Sequence, residues 1–306
     1  MQEKIRNDLN GWLIIDKPKG MGSTQVVGAL KRFLHPMKIG HAGTLDPLAD
    51  GVLPIALGKA TRLIPYVMDS EKIYEFDVTW GCETTTDDLE GEIVQTSDLR
   101  PTKEQIEAVL PRFIGQISQM PPIYSALKIN GERAYDLARL GKDVSLKERL
   151  ITVKALEIKQ HSAEKTRFCV TCGKGTYVRA LGRDLGRILR CFGHVTHLRR
   201  LKCGPFHIEK SILLANFEKI EYKETVQWIL PLETVLDDIL VLAVKEDDIR
   251  RLIMGQALSL KSFISQYPKG LSDGMIFKVF HHTRLVALVQ CVSGAIRPLR
   301  IFTTIL

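Results

Sequence analysis

A chain of 306 residues that is 45% hydrophobic and 25% charged has ordinary globular composition, with enough apolar material for one large domain and one small one. No run of eighteen apolar residues suggests a membrane span, Met1 to Leu9 does not read as a signal peptide, and six thinly spread cysteines fit a reduced, cytoplasmic protein without a disulfide framework. A net charge of +8 favours a polyanionic partner.

In chain order, Gly11 to Ile15 reads as a short buried strand, ended by a turn at Asp16-Lys17-Pro18-Lys19-Gly20. Ser23 or Thr24 is placed to cap a helix whose Val26, Val27, Leu30, Phe33 and Leu34 recur at helical spacing. Next comes the stretch from Gly40 to Gly51, Gly-His-Ala-Gly-Thr-Leu-Asp-Pro-Leu-Ala-Asp-Gly. Two readings stay open for it. Asp46 caps a short turn whose first position is Pro47, or the loop presents Asp46 for catalysis with His41 nearby. The apolar run from Gly51 to Gly58 suits a tightly packed core piece.

Ile73 to Trp80 alternates as a strand, with Tyr74, Phe76, Val78 and Trp80 on one face. Glu83 to Glu92 reads as a loop with Asp87, Asp88 and Glu90 in solvent. Thr102 to Gln105 has capping-box spacing and opens an amphipathic helix. After Met120-Pro121-Pro122, the segment from Tyr124 to Asp143 interleaves Lys128, Arg133, Arg139 and Lys142 with Tyr124 and Tyr135. That mixture suits a nucleic-acid clamp and a solvated helix-turn surface about equally.

Arg167 to Cys172 alternates like a strand, and Gly173-Lys174-Gly175-Thr176 turns it into a helix with an apolar face at Leu181, Leu185, Ile188, Leu189 and Phe192. Between Arg179 and Lys202 the bases 179, 183, 187, 190, 199, 200 and 202 face one acid, Asp184, which reads as a phosphate track. From Glu246 a short helix closed by Gly255 precedes strand-like runs at Met275 to Phe280, Leu285 to Val292 and Leu299 to Phe302, a small β module. Cys169 and Cys172 are three apart on a strand and face opposite sides, so they do not read as a zinc pair. No nucleotide-binding glycine motif is present, and neither a cofactor nor a metal is expected.

The run from Gly40 to Pro54 closely resembles the signature of the bacterial tRNA pseudouridine-55 synthases, the TruB family. Asp16 to Gly20, Lys72-Ile73-Tyr74, Thr84 to Gly91, Pro121 to Lys128, Lys174 to Arg179 and Leu198-Arg199-Arg200 resemble further motifs of that family, in the same order. The resemblance implies an α+β fold: a catalytic domain over 1–240 with a mixed, largely antiparallel sheet flanked by helices and an RNA-gripping insertion at about 121–145. A small β-rich PUA-like domain over 241–306 completes it.

It also implies isomerisation of the uridine at position 55 in the T-loop of tRNA, by a monomer acting without a guide RNA. Asp46 takes the role of catalytic carboxylate, Arg179 that of its partner, and Tyr74 packs against the base and helps move a proton. His41 fills the stack vacated by the flipped base, and Lys17 supports the pocket. Asp88 and Tyr177 stand at substrate positions, with Lys128, Arg133, Arg139, Arg183, Arg187 and Arg199 on the RNA. Two alternatives use the same scaffold: an RNA-folding module without catalysis, and a guide-RNA-dependent relative, against which the insertion after Pro121 argues.

Overall fold

The computed structural model describes residues 7–303 apart from 126, 130, 141–143, 218, 220–221 and 268–269. Strand β1 (Gly11–Lys17) is buried on both faces and carries the chain two residues beyond the expected strand end. Helix α1 (Ser23–Leu34) follows, with Val26, Ala29, Leu30 and Leu34 turned inward. Its cap is not Ser23 or Thr24. Gly22 takes that position, and its N–H donates to the Gln25 side chain at 2.7 Å. Ser23 is already helical, which frees its hydroxyl for another partner.

Strand β2 (Ile39–His41) leads through the Asp46 loop to β3 (Asp50–Leu57), which is the core piece that its glycine-bounded apolar run indicates. Gly51 cannot be replaced cheaply: its φ is +99°, and a Cβ there would lie 2.3 Å from the carbonyl oxygen of Arg200 on the neighbouring strand. Helix α2 (Ile64–Asp69) precedes β4 (Lys72–Trp80), whose alternation holds as expected, with Phe76, Val78 and Trp80 buried and Tyr74 on the same side. Strands β5 (Cys82–Thr84) and β6 (Ile93–Thr96) form a hairpin, and α3 (Lys103–Val109) starts at the expected capping box of Thr102 and Gln105.

Strand β7 (Gly115–Gln119) ends at the proline pair. Beyond it, the insertion holds β8 (Lys128–Ile129), β9 (Glu132–Arg133) and α4 (Ala134–Arg139). The chain returns through β10 (Arg149–His161), β11 (Lys165–Cys172), α5 (Val178–Ile188) and β12 (Gly193–Cys203), then the short β13 (Phe206–His207) and β14 (Ile212–Leu213). Together the described residues give a ten-stranded sheet in the order β14-β1-β3-β12-β4-β11-β10-β7, with β2 against β3 and β13 against β12. The β1/β14 and β3/β12 pairs are parallel and the others antiparallel. The sheet is thus mixed and largely antiparallel.

Because strand side chains alternate, β1 feeds two cores. Leu13 and Ile15 join Phe76, Val78, Phe168, Leu181 and Leu185 beneath α1 and α5. Trp12 and Ile14 pack on the opposite face with Val52 and Phe206, and Leu285, Leu288 and Phe302 close that side from the end of the chain. These last residues belong to a second, five-stranded sheet. It consists of β15 (Leu240–Val241), β16 (Leu258–Ser259), β17 (Ile276–His281), β18 (Arg284–Val292) and β19 (Ala295–Ile301), ordered β15-β17-β18-β19-β16. Its own core holds Ile249 and Leu252 from the helix Glu246–Ile253, against Phe277, Val279, Val286 and Ile296. No helix among the described residues is long and apolar enough to cross a membrane.

Candidate active site

Asp46 sits where β2 and β3 leave the sheet. The expected turn follows it, but among the described residues no backbone N–H donates to its carboxylate, so Asp46 does not cap that turn. The Ala49 N–H donates to the Asp46 carbonyl at 3.1 Å, a β-turn with Pro47 at its second position. The carboxylate is left free of the backbone and meets Arg179 Nη2 at 2.9 Å, with 41% of the side chain still open to solvent.

Three devices hold this loop. The buried Ser23 hydroxyl donates to the Leu45 carbonyl at 2.9 Å and accepts the Leu45 N–H at 2.8 Å. The Gly20 N–H donates to the Pro47 carbonyl at 2.7 Å. Arg200 donates from Nε to the Val52 carbonyl at 2.7 Å and from Nη2 to Gly43 at 3.0 Å, straddling the loop. Ser23→Ala would strand two buried backbone groups, and we expect a loss of about 2 kcal/mol, read by urea unfolding.

Arg179 is 6% exposed and engaged through both terminal nitrogens. Besides Asp46 it donates to Asp88 Oδ2 at 3.1 Å, to the Thr86 carbonyl at 2.9 Å and to the Tyr124 carbonyl at 2.9 Å. Helix α5 therefore presents one arginine to two carboxylates at its first turn. The helix start is fixed by Gln119, whose amide accepts the Tyr177 N–H at 2.9 Å and donates to the Tyr177 carbonyl at 3.1 Å.

The next two turns of α5 correct the sequence reading twice. Asp87 and Asp88 are not in solvent: they are 5% and 2% exposed. Arg183 is buried as well, donating to Asp87 at 2.9 Å, to Asp184 at 2.8 Å and to the Met120 carbonyl at 2.8 Å. Arg187 grips Glu83 through Nε at 2.8 Å and through Nη2. Arg179, Arg183 and Arg187 thus form a ladder against Asp88, Asp87 and Glu83. The acids that balance the helix lie about a hundred residues away in sequence, so the ridge is not one-signed, and Arg183 does not reach the surface. Arg199 is likewise committed, to Asp16 at 2.7 Å and Asp50 at 2.6 Å.

Within the ladder, Asp87 is held with φ +62°, and burial pushes its carboxyl up from 3.8 to about 6 against the pull of Arg183. The folded chain then keeps a proton that the unfolded chain gives up between those values. Stability from this group is full below pH 3.8 and falls as pH rises to about 6, by about 3 kcal/mol. Asp87→Asn should flatten that part of a melting-temperature profile against pH.

A cleft of about 560 Å³ opens over Asp46. Tyr74, Tyr177, Lys72, Leu198, Arg179 and Arg200 contribute to its wall. Burial pushes the Tyr74 phenol up to about 12, with the Arg200 charge pulling the other way, so the hydroxyl keeps its proton at neutral pH. Burial also raises Tyr177. Lys72 donates to the carbonyls of Val67, Met68 and Ser70, where α2 ends.

Lys17 stands behind the wall, fully buried, with Nζ on the Pro18 and Met21 carbonyls, and burial lowers it to about 8. His41 is on β2, outside the cleft lining. Its Nδ1 is buried with no partner, and burial followed by the Arg200 charge lowers its pKa. In the insertion, Lys128 lies on β8 and Arg133 on β9. Arg139, exposed on α4, places its guanidinium 5.6 Å from the Tyr135 ring centre. Cys169 and Cys172 occupy opposite faces of β11.

Sequence reasoning brought Asp46, Tyr74 and Arg179 together and missed Ser23, Lys72, Arg200 and Asp87 as parts of the site. The sequence offers Ser23 as a cap, which is the same hydrogen-bonding capacity aimed elsewhere. Arg200 sits among other bases, and only its register opposite Tyr74 and Gly51 reveals it.

Residues 31–178 match the N-terminal domain of the TruB family of pseudouridylate synthases, and 179–237 match the C-terminal domain of tRNA pseudouridylate synthase B. The chain is 48% identical over 304 residues to the tRNA pseudouridine synthase B of Bradyrhizobium diazoefficiens, covering 97% of this chain and 87% of that protein. It is 44% identical over 308 residues to that of Caulobacter vibrioides, covering 98% of each. Among solved structures it resembles a Cbf5-Nop10-Gar1 complex with a TM-score of 0.73 and 26% identity, over 96% of this chain and 85% of that one. A fold with a large mixed sheet, an Asp46–Arg179 pair at a cleft, and near-full-length identity of this order lead to one assignment: the chain belongs to the TruB family of pseudouridylate synthases.

Proposed function

We propose that this protein isomerises the uridine at position 55 in the T-loop of tRNA to pseudouridine, as a monomer without a guide RNA, with Asp46 as the catalytic carboxylate. The observation that carries this reading is the Asp46 carboxylate, open to the cleft and paired at 2.9 Å with a guanidinium that is itself anchored on Asp88. The names of the relatives from Bradyrhizobium and Caulobacter supply tRNA as the substrate class.

The C1′–N1 bond of the target must break, the uracil turn in place, and C5 join C1′. A base stacked in a folded loop has first to be extruded, at a cost of a few kcal/mol. Entry of the base removes water from Asp46, and the Arg179 guanidinium at 2.9 Å then stands as the counter-charge of the carboxylate. Tyr74, protonated and set in the wall, offers a face for the ring and a hydrogen for transfer. His41, held neutral, presents an uncharged ring suited to the gap left in the loop. Residues 1–240 carry the chemistry and 241–306 act as a PUA-like RNA contact, while α4 with Arg139 and Tyr135 grips the RNA.

The test is quantification of pseudouridine at that position after incubating purified protein with an unmodified tRNA transcript and no other RNA. Product supports the reading. Binding without product supports an RNA-folding role, and product only on addition of a guide RNA supports the guided reading.

A further inference from the structure

Burying a cation is costly unless something of opposite charge accompanies it. Among the described residues the buried arginines are Arg179, Arg183 and Arg200. The first two meet two carboxylates each. Arg200, 1% exposed, has no carboxylate within 4.0 Å among the described residues. Its hydrogen bonds go to backbone carbonyls, those of Val52 and Gly43 at 2.7 and 3.0 Å and a long contact to Thr44 at 3.5 Å. A guanidinium has five N–H groups, so two remain beyond these carbonyls, with the Tyr74 hydroxyl as a neighbouring acceptor. Arg200 lines the cleft and pairs in register with Tyr74 across β4 and β12.

The excess charge is not confined to Arg200. Lys72 is in the same wall and Lys17 just behind it, both buried and both held by carbonyls without an ion-pair partner among the described residues. Burial lowers the pKa of Lys17, Lys72 and His41, and the repulsion of Arg200 adds to it in each. For Lys17 the attraction of Asp50 and Asp46 opposes the shift more strongly than Arg200 supports it. The fold thus gathers three buried cations without a direct ion pair among the described residues on one side of a cleft whose other side carries Asp46 and the ion-paired Arg179. The carbonyl contacts brace the loop but carry no full negative charge, so an anion entering the cleft would find a cation there that no carboxylate already neutralises.

We propose that Arg200, backed by Lys72, stabilises the negative charge that develops on the uracil ring when its glycosidic bond breaks. This rests on the reading of the cleft as a uridine isomerisation site. The electron pair of the C1′–N1 bond leaves with N1, and the freed ring is an anion with charge shared over N1 and the carbonyl oxygens O2 and O4. C5 then bonds to C1′, the C5 hydrogen leaves as a proton, and N1 takes one up, so charge and protons balance without a further reactant. Attack at C6, attack at C1′ and removal of the C2′ proton all place negative charge on the same ring, so the cation serves each route. Fixed donors facing developing charge in a dry site are worth about 100-fold or more in rate.

The test compares two T-loop RNAs, one with uridine and one with 5-fluorouridine at the target, because fluorine acidifies the ring and makes its anion less dependent on outside help. Single-turnover consumption of the target nucleotide is measured for the wild-type protein, Arg200→Lys and Arg200→Gln, alongside RNA affinity. We expect Arg200→Gln to slow uridine by on the order of 100-fold and fluorouridine by less than about tenfold, with affinity unchanged and Arg200→Lys intermediate. Equal slowing of both substrates would mean that Arg200 only braces the loop, and would overturn the inference. A wild-type protein inactive on uridine would instead overturn the functional reading, and this inference with it.

Should Arg200→Gln fail to fold, the wild-type protein still decides. An RNA carrying 6-azauridine, whose ring ionises near neutral pH, should gain affinity relative to the uridine RNA as pH rises from 6 to 8. A constant ratio would overturn the inference.

Discussion

Asp46→Asn should abolish turnover, lowering pseudouridine formation by at least about 1,000-fold, while RNA affinity stays within about a factor of two. The substitution keeps shape and volume. The loop is held by Ser23, Gly20 and Arg200 through backbone atoms and not through the Asp46 side chain. Its fold should therefore survive, and the lost rate reports the carboxylate alone. The measurement is single-turnover pseudouridine formation on unmodified tRNA, together with filter binding. Retained product formation would remove Asp46 from the catalytic role.

The largest effect on stability is expected at Arg183. The residue points into the ladder and bonds Asp87, Asp184 and the Met120 carbonyl. Arg183→Met fills comparable space but leaves Asp87 buried without its cation, a loss of about 3–5 kcal/mol. For a chain of this size that corresponds to a fall of roughly 10 °C in Tm. The loss should be smaller at pH 5 than at pH 8, since Asp87, already raised to about 6, can take up a proton below that value. If Arg183 instead faced RNA, the variant would melt normally and bind weakly at low salt.

The difference between these residues explains how far the sequence could be read. Alternation over Ile73 to Trp80 and the capping box at Thr102 depend on neighbours a few residues apart, and both appear in the structure as expected. The resemblance to a family signature located the Asp46 loop, the Tyr74 strand and Arg179. The reading failed where an interaction joins distant segments. Asp87 and Asp88 look solvated in a polar loop, and Arg183 and Arg187 look like an exposed ridge; each appearance is correct locally. Asp87, Asp88 and Arg183 are buried, and Arg187 is tied down at the surface, because the hairpin β5–β6 folds over α5 and brings Glu83 within reach of Arg187, 104 residues apart. Nothing in local spacing encodes that meeting. Ser23 illustrates the same limit, since Gln25 captured the cap that its hydroxyl could have made.

The cations around the cleft grip main-chain oxygens: Lys17 those of Pro18 and Met21, Lys72 those of Val67, Met68 and Ser70, and Arg200 those of Gly43 and Val52. An oxygen of the main chain is present whatever side chain the residue bears. The scaffold that aims Asp46 is therefore indifferent to much of the lettering around it, and drift at positions such as Met21 or Val67 leaves the grip intact. What it cannot tolerate is a change in the path of the chain, which is why Gly51, pressed against Arg200, is bound more tightly to its identity than residues that merely surround the site.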